Sequence, residues 1–307
     1  MSTPPRPTPA AVSVRRRSVL LGAVGGLGLA ATLSACGDDA EVPEPTAADD
    51  LLSPEPADPE LPPGPEVVTG RFVSPAMGGQ TVRWAAARPV GVTGRLPMVI
   101  VAHALNTNER TIFSKALNMQ GVVQSHVDAG NPPFALAGVG IGNNYYHRRA
   151  DGADSARLIL DEFIPMLGDD ARLDVRTDRF GLYGWSMGGY GALRLGAMVG
   201  APQVAAIAVS APALWPDPLG YPPRAFDSAE DYQANSLFGQ QDAFAKIPLM
   251  ISVGTSDQFY RGTLKWAEGL SPPAALRVGP GGHTDAFFRG ALPEQVEFLG
   301  RNLGTYI

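Results

Sequence analysis

The chain has 307 residues, 45% of them hydrophobic and 18% charged, with a formal net charge of −6 and a single cysteine. This composition supplies enough apolar side chains for a full core, which excludes a wholly disordered or collagen-like chain. No basic patch indicates nucleic acid as a partner, and no intramolecular disulfide can form. The histidines and the cysteine show no metal-ligand spacing, and no motif indicates a cofactor.

Residues 1–35 are typical of an export signal, because Arg15-Arg16-Arg17 precede an apolar run from Val19 to Ala35 that ends in small residues. The run is too short and too rich in glycine to indicate a transmembrane helix. The segment RRSVL at 16–20 resembles a twin-arginine signal. A Sec signal stays open, because Val19 stands where the twin-arginine pattern favours Phe.

The signal ends at Leu33-Ser34-Ala35-Cys36, which resembles a bacterial lipobox. The resemblance implies that Cys36 is acylated, becomes the mature N-terminus and anchors the protein at the outer face of the cytoplasmic membrane. The alternative is a signal peptide with an incidental cysteine, which would leave the protein secreted.

Residues 36–66 are rich in proline and acidic residues, without lysine, arginine or apolar periodicity. They cannot bury enough surface to offset their ordering entropy, so we expect a disordered, self-repelling tether. The tether holds 10 of the 30 Asp+Glu, and 4 of the 24 Lys+Arg precede it. Residues 67–307 therefore carry 20 residues of each sign and form a neutral domain.

Residues 67–307 alternate predicted strands with helical segments. Residues 67–74 and 81–87 predict an antiparallel pair joined by a turn at 77–80. Continuous apolar runs predict buried strands at 97–102, 134–139, 179–183, 204–209, 248–253 and 274–278. Helical spacing marks 189–198 and 154–167, where Pro165 would kink or end the helix. This alternation predicts an α/β fold with a doubly wound, mostly parallel sheet, whose functional groups lie at the carboxyl ends of the strands.

Residues 214–244 interrupt this alternation, since they are rich in proline and aromatic residues and show no clear strand. We expect short helices and loops that form a cap-like insertion over the carboxyl ends of the strands. The alternative is a surface excursion packed elsewhere.

Gly184-Trp185-Ser186-Met187-Gly188 stands between the strand at 179–183 and the helix at 189–198. A G-x-S-x-G between a strand and a helix is typical of the nucleophile elbow of an α/β-hydrolase. The turn holds the serine in a strained conformation, and the glycines allow the strand and the helix to pack closely. The alternative is a glycine-rich turn with a solvent-facing serine.

A serine hydroxyl needs a base to take its proton, and the base needs a group that orients it. In this fold the chain order is nucleophile, acid, histidine. His283 is the only histidine after Ser186 and lies in a glycine-rich loop behind the last predicted strand, so we predict it as the base. His103, His126 and His147 precede Ser186, and we expect them to be structural or to face the substrate.

Asp257 directly follows the strand at 248–253, which predicts it as the acid of a catalytic triad. Asp285 lies too close to His283 in sequence to approach its imidazole easily, and Asp242 precedes the strand. The competing role for Asp257 is that of a helix N-cap.

An oxyanion hole requires two preorganised backbone N–H groups. Met187 follows the nucleophile and provides one of them. The other comes from the loop after the strand at 97–102, where we prefer Leu105 and keep Ala104 as the nearest alternative.

Three segments together resemble the esterase D-like family of α/β-hydrolases: GWSMGGYGA at 184–192, SDQF at 256–259 and GHTDAFF at 282–288. The family includes esterase D (S-formylglutathione hydrolase), feruloyl-type esterases and the antigen 85 mycolyltransferases, and the likeness covers residues 67–307. It implies carboxylic-ester substrates, a triad of Ser186, Asp257 and His283, and Leu105 as an oxyanion donor. The chain departs from the family at Ala104, where glycine is more common.

These features predict an exported, membrane-tethered serine esterase that works through an acyl-enzyme on a small-molecule, lipid or sugar ester. One alternative is an acyltransferase that moves the acyl group to a sugar or lipid hydroxyl. An alternative of another class is a non-catalytic binding protein that keeps the hydrolase fold.

Two groups of side chains are candidates for substrate contact. Trp185, Tyr190, Trp215 and Tyr145-Tyr146 would either line an apolar acyl pocket or belong to the core. Arg148 and Arg149 would either bind a carboxylate or phosphate of the substrate or keep solvated heads.

Overall fold

The computed structural model describes residues 64–217 and 220–305, all of which belong to one structural unit that spans Pro54–Ile307. The predicted export signal, Cys36 and all but the last residues of the predicted tether lie outside the described residues. The boundaries predicted at residues 35 and 66 therefore stay predictions.

Eight strands form one sheet in the order β1-β2-β4-β3-β5-β6-β7-β8. The β1–β2 and β2–β4 pairs are antiparallel, and the other five pairs are parallel. The strands are β1 (Val67–Ser74), β2 (Gln80–Ala87), β3 (Leu96–Ala102), β4 (Ala135–Val139), β5 (Val175–Trp185), β6 (Val204–Ser210), β7 (Leu249–Gly254) and β8 (Ala275–Gly279). Each predicted strand is present, and the turn between β1 and β2 spans 75–79.

Helices cover both faces of the sheet. They are α1 (Met119–Asp128), α2 (Ser155–Arg157), α3 (Ile164–Asp169), α4 (Met187–Gln203), α5 (Ala229–Asn235), α6 (Tyr260–Ala267) and α7 (Asp285–Gly304). Alternate residues of β3 enter two different buried clusters, Ile100 with α3 and α4 on one side and Val99 with α1 and α7 on the other. Because successive strand side chains point to opposite faces, the fully apolar sequence of β3 follows from burial on both sides.

The helix predicted at 154–167 extends to Asp169 and passes Pro165. It consists of α2, a π-helical stretch at Leu158–Phe163 and α3, where Pro165 occupies the first turn. Directly before Pro165, the Ile164 N–H donates to the Ile159 carbonyl in a π-type bond, so the helix is already irregular where the proline N–H is missing. Pro165 therefore does not end the helical segment.

The described part of the insertion, 214–217 and 220–244, contains α5, a 3₁₀ turn at Gln241–Phe244 and loops, without a strand. Its Trp215 packs edge-on against Phe259, with ring centroids 5.4 Å apart, and the Tyr232 hydroxyl donates to the Trp215 carbonyl at 2.7 Å. Phe259 lies directly before α6, beyond the carboxyl end of β7. These contacts place the insertion over that edge of the sheet, as predicted. Among the described helices, none is both long and apolar enough to span a bilayer.

Candidate active site

Ser186 lies at the sharp turn between β5 and α4, with φ 55° and ψ −122°. Its N–H donates to the Ser210 carbonyl at 3.0 Å, and its carbonyl accepts the Ala213 N–H at 2.9 Å. An uncommon backbone conformation persists where neighbouring structure fixes it, and here β6 and the residues after it do so.

The glycines on either side of Ser186 are required by the close packing of the turn. A Cβ at Gly184 would lie 2.1 Å from the Gly188 carbonyl oxygen, and a Cβ at Gly188 would lie 1.9 Å from the Ala102 carbonyl oxygen. Both positions therefore exclude any other residue without a backbone shift. The turn has the strand–elbow–helix geometry that the G-x-S-x-G motif predicts.

The structure brings together the three residues predicted as a triad. His283 Nε2 lies 2.8 Å from Ser186 Oγ, and His283 Nδ1 lies 2.8 Å from Asp257 Oδ2. The Asp257 carboxylate is fully buried, whereas the His283 side chain is a quarter exposed. An ionised aspartate only accepts hydrogen bonds, so it holds the proton on Nδ1 and leaves the Nε2 lone pair directed at the serine hydroxyl.

Two loops carry the acid and the histidine, and they pack against each other. Ser256 donates its N–H to the Gly281 carbonyl at 2.9 Å, and a Cβ at Gly254 would lie 2.3 Å from that oxygen. Gly281 has φ 142°, a conformation that favours glycine. The glycine-rich sequence before His283 therefore allows its loop to approach the loop of Asp257.

The alternatives for the acid lie elsewhere. Asp285 is the exposed first residue of α7, and Asp242 is exposed in the 3₁₀ turn of the insertion. Asp257 is not the N-cap of α6, a position that Phe259 occupies without a side-chain cap, but Asp257 Oδ1 accepts the Phe259 N–H at 2.8 Å just before that helix. One carboxylate oxygen thus fixes the local turn while the other faces the imidazole.

The two predicted oxyanion donors lie on neighbouring segments. Met187 is the first residue of α4, where N–H groups have no acceptor within the helix. Leu105 lies three residues beyond β3, whose last residue, Ala102, is the register partner of Gly184. The loop of Leu105 therefore begins beside the elbow.

The three histidines before Ser186 are buried or nearly so. Burial lowers the pKa of His103 to about 4 and that of His147 to about 4, and it lowers the pKa of His126 as well. His126 Nε2 lies 3.2 Å from the Pro132 carbonyl oxygen, and a Cβ at Gly300 of α7 would lie 2.4 Å from that nitrogen. His126 is therefore structural.

The predicted aromatic residues divide between core and site. Trp185, Tyr190, Tyr145 and Tyr146 are at most 3% exposed, and only Trp215 is half-buried. Trp215 packs on Tyr145 at 5.8 Å and on Phe259, and Phe259 packs edge-on against His283 at 5.3 Å. The sequence alone assigns no contact to Phe259, although this residue lies only two positions after Asp257.

Arg149 has structural partners. Its guanidinium forms an ion pair with Asp227 at 2.6 Å and donates to the Ala225 carbonyl at 3.0 Å, which ties the loop after β4 to the insertion. Arg148 is exposed. Within residues 64–217 and 220–305, no group of three His, Cys, Asp or Glu side chains has the arrangement of a metal site.

No protein-family model and no curated protein matches the chain, but solved structures share its fold. A ferulic acid esterase superposes with a TM-score of 0.67 at 16% identity, over 78% of this chain and 99% of its own. An S-formylglutathione hydrolase from Staphylococcus aureus superposes with a TM-score of 0.63 at 16% identity, over 76% and 98% of the two chains.

Brefeldin A esterase, described as a bacterial homologue of human hormone-sensitive lipase, gives a TM-score of 0.54 at 13% identity over 81% and 80%. Likeness at such low identities establishes the fold alone. The chain has the α/β-hydrolase fold of these esterases, which confirms the predicted fold class.

Proposed function

We propose that this protein is a serine hydrolase that cleaves a carboxylic ester through an acyl-enzyme. The observation that carries the proposal is the continuous hydrogen-bonded chain from Ser186 Oγ through His283 to Asp257, with both contacts at 2.8 Å. A nucleophile, a base and an orienting acid at these distances form the arrangement that activates a serine hydroxyl. The esterase names of the proteins that share the fold support the choice of ester bonds.

In the proposed reaction, His283 Nε2 accepts the proton of Ser186 Oγ as that oxygen attacks the ester carbonyl carbon. The negative charge that develops on the carbonyl oxygen faces the N–H groups of Met187 and Leu105. When the intermediate collapses, the C–O bond to the alcohol breaks and His283 returns the proton to the leaving oxygen. Water then attacks the acyl-enzyme by the same steps and releases the acid and the free serine.

The substrate is proposed to carry an apolar or aromatic group beside the ester. Trp215 and Phe259 continue from His283 toward Tyr145 and form an apolar wall on one side of the triad. An acyl acceptor other than water is the second candidate, because hydrolysis and acyl transfer share one acyl-enzyme. Product analysis with and without an added alcohol or sugar acceptor separates the two.

A fluorophosphonate probe tests the proposal directly, since it reacts with activated serines. We expect the purified protein to be labelled at Ser186 and the Ser186→Ala variant to stay unlabelled. Hydrolysis rates over an ester series of increasing acyl length then measure how strongly the apolar wall favours longer acyl groups. Absence of labelling under conditions that label a control hydrolase would overturn the proposal and favour a non-catalytic binding protein.

We also propose that the protein is exported and anchored through a lipid on Cys36. The lipobox-like Leu33-Ser34-Ala35-Cys36 and the acidic stretch after it support this proposal, because an acidic tether avoids an anionic membrane surface. We expect Cys36→Ala to move the protein from the membrane fraction to the soluble fraction. Unchanged fractionation of that variant would overturn the anchor and leave the esterase proposal in place.

A further inference from the structure

The peptide between Ala104 and Leu105 is held through its carbonyl oxygen. Ala104 O accepts hydrogen bonds from Thr107 Oγ1 at 2.8 Å, from His103 Nδ1 at 2.9 Å and from the Thr107 N–H at 3.3 Å. In a planar trans peptide the N–H points away from the C=O. The donors that fix Ala104 O therefore also fix the direction of the Leu105 N–H.

The next peptide, between Leu105 and Asn106, is held from the other side. The Asn106 N–H donates to Asn143 Oδ1 at 2.9 Å, and Asn143 Nδ2 donates to Asn106 Oδ1 at 2.9 Å. The two bonds form a closed ring between the loop after β3 and the loop after β4. Asn106 has φ 56°, a left-handed conformation that asparagine tolerates better than most residues.

A buried link joins the same two loops beneath this ring. The Ile141 N–H donates to His103 Nε2 at 3.1 Å, and the Tyr146 hydroxyl donates to the His103 carbonyl at 2.8 Å. His103 has no exposed surface, and burial lowers its pKa to about 4, so the neutral ring donates from Nδ1 to Ala104. Both peptides around Leu105 are thus fixed before any substrate arrives.

We propose that Thr107 and Asn143 are positioning residues for the oxyanion hole, which they serve by aiming the Leu105 N–H without touching the reacting atoms. This inference rests on the proposed esterase function. Preorganised donors stabilise a transition state because no reorganisation is needed when the charge develops. Loss of one of these hydrogen bonds should leave the loop in place but allow the Leu105 N–H a wider range of orientations.

Thr107→Val tests the first residue, because it keeps the shape and the backbone N–H of Thr107 and removes only the hydroxyl. We expect kcat to fall about tenfold with little change in KM, since loss of a whole oxyanion donor costs about 10²–10³-fold. Thr107→Ser restores the hydroxyl and should recover most of the activity. Thr111→Val, four residues further along the chain and outside this hydrogen-bond set, is the matched control.

Asn143→Ala tests the second residue, and the adjacent Asn144→Ala is its matched control. Asn144 donates from Nδ2 to the Ile141 carbonyl at 2.8 Å within its own loop and makes no bond to Asn106 among the described contacts. We expect Asn143→Ala to lower kcat about tenfold and Asn144→Ala to have a much smaller effect.

The decisive measurement compares an oxygen ester with its thionoester, in which sulfur replaces the carbonyl oxygen and accepts hydrogen bonds weakly. An aimed N–H favours the oxygen ester, so Thr107→Val and Asn143→Ala should lower the preference of the wild type, whereas Thr107→Ser and Asn144→Ala keep it. An unchanged preference in both test variants, or an equal loss in test and control variants, overturns the inference.

Thermal unfolding identifies a variant that fails to fold, and the other pair of test and control variants then decides. A wild type that hydrolyses neither ester overturns the proposed function, and the inference falls with it.

Discussion

The three loops that hold Ser186, Asp257 and His283 differ from the region formed by the loop after β4 and the insertion. The first region joins three side chains by two hydrogen bonds. The second region is held together by a network of hydrogen bonds and ion pairs that is spread over several residues. Arg194 of α4 donates to Asn235 Oδ1 at 2.7 Å and to the Tyr146 carbonyl at 2.9 Å, which links α4 to both parts of that region.

The network continues through α5 to His147 and Tyr190. Asn235 Nδ2 donates to Asp231 Oδ1 at 2.7 Å, Asp231 Oδ2 lies 3.2 Å from His147 Nε2, and the Tyr190 hydroxyl donates to the Asn235 carbonyl at 2.9 Å. The comparison shows that proposed chemistry concentrates in a few residues, whereas support is spread over many. Substitutions in the first region should therefore change activity and leave stability intact, and substitutions that break the network around Arg194 and Asn235 should do the reverse.

The largest effect is expected at the nucleophile and the base. Ser186→Ala and His283→Ala should each lower kcat by roughly 10⁵–10⁶-fold, and the double variant should cost little more, because the two groups act as one unit. Steady-state kinetics on an activated ester measures this, with thermal unfolding as the control for folding. Full activity of Ser186→Ala would contradict the mechanism as a whole.

The next effect concerns the acid. Asp257→Asn should lower kcat by about 10⁴-fold, less than either change above, because it disturbs the tautomer and orientation of His283 but removes neither nucleophile nor base. Asp285→Asn is the matched control and should keep its activity, since Asp285 is exposed at the start of α7. The opposite result, with Asp257→Asn active and Asp285→Asn inactive, would reassign the acid.

The sequence predicted the first region far better than the second. Strands buried on both faces are continuous apolar runs, so β3, β6 and β7 were placed within one or two residues. β5 begins at Val175, before the predicted strand, and no apolar run marks this start because Arg176 is polar and half-buried and Asp178 is exposed. A Cβ at Gly184 or Gly188 would overlap backbone atoms, so both positions require glycine and the elbow can be recognised directly in the sequence.

The contacts around Leu105 had no such signal. Asn106 and Asn143 are 37 positions apart, and their pairing depends on the left-handed backbone of Asn106 and on the adjacency of two loops. Arg149 is a sequence candidate for substrate binding, but its side chain pairs with Asp227, a contact that depends on where the insertion folds back. Common polar residues acquire such roles from the tertiary structure, which local patterns do not encode.

A smaller effect is expected when the network is broken at Arg194. Arg194→Met keeps much of the side-chain stem and leaves Asn235 Oδ1 without its strongest donor, so the free energy of unfolding should fall by about 2 kcal/mol. Arg157→Met is the matched control, because its ion pair with Asp161 is on the surface, with both side chains more than half exposed, and such pairs contribute about 0–1 kcal/mol. Urea unfolding measures both variants, and fluorophosphonate labelling of Ser186 should persist in each. Equal losses of stability would contradict a special role of the network.

The smallest effect is a loss of stability in mild acid that comes from the buried histidines. Burial lowers the pKa of His103 from 6.5 to about 4, so between these values the unfolded chain binds a proton that the folded protein does not. Stability is therefore full above pH 6.5 and falls as the pH drops toward 4. For His103 alone, the loss between pH 7 and pH 5.5 is about 1 kcal/mol.

Urea unfolding at the two pH values measures the loss of stability. The variant His103→Gln should reduce this loss by about 1 kcal/mol, whatever its effect on stability at pH 7. His147, whose pKa burial also lowers to about 4, should supply part of the remaining drop. A drop in His103→Gln as large as that of the wild type would show that His103 is protonated in the folded protein at pH 5.5.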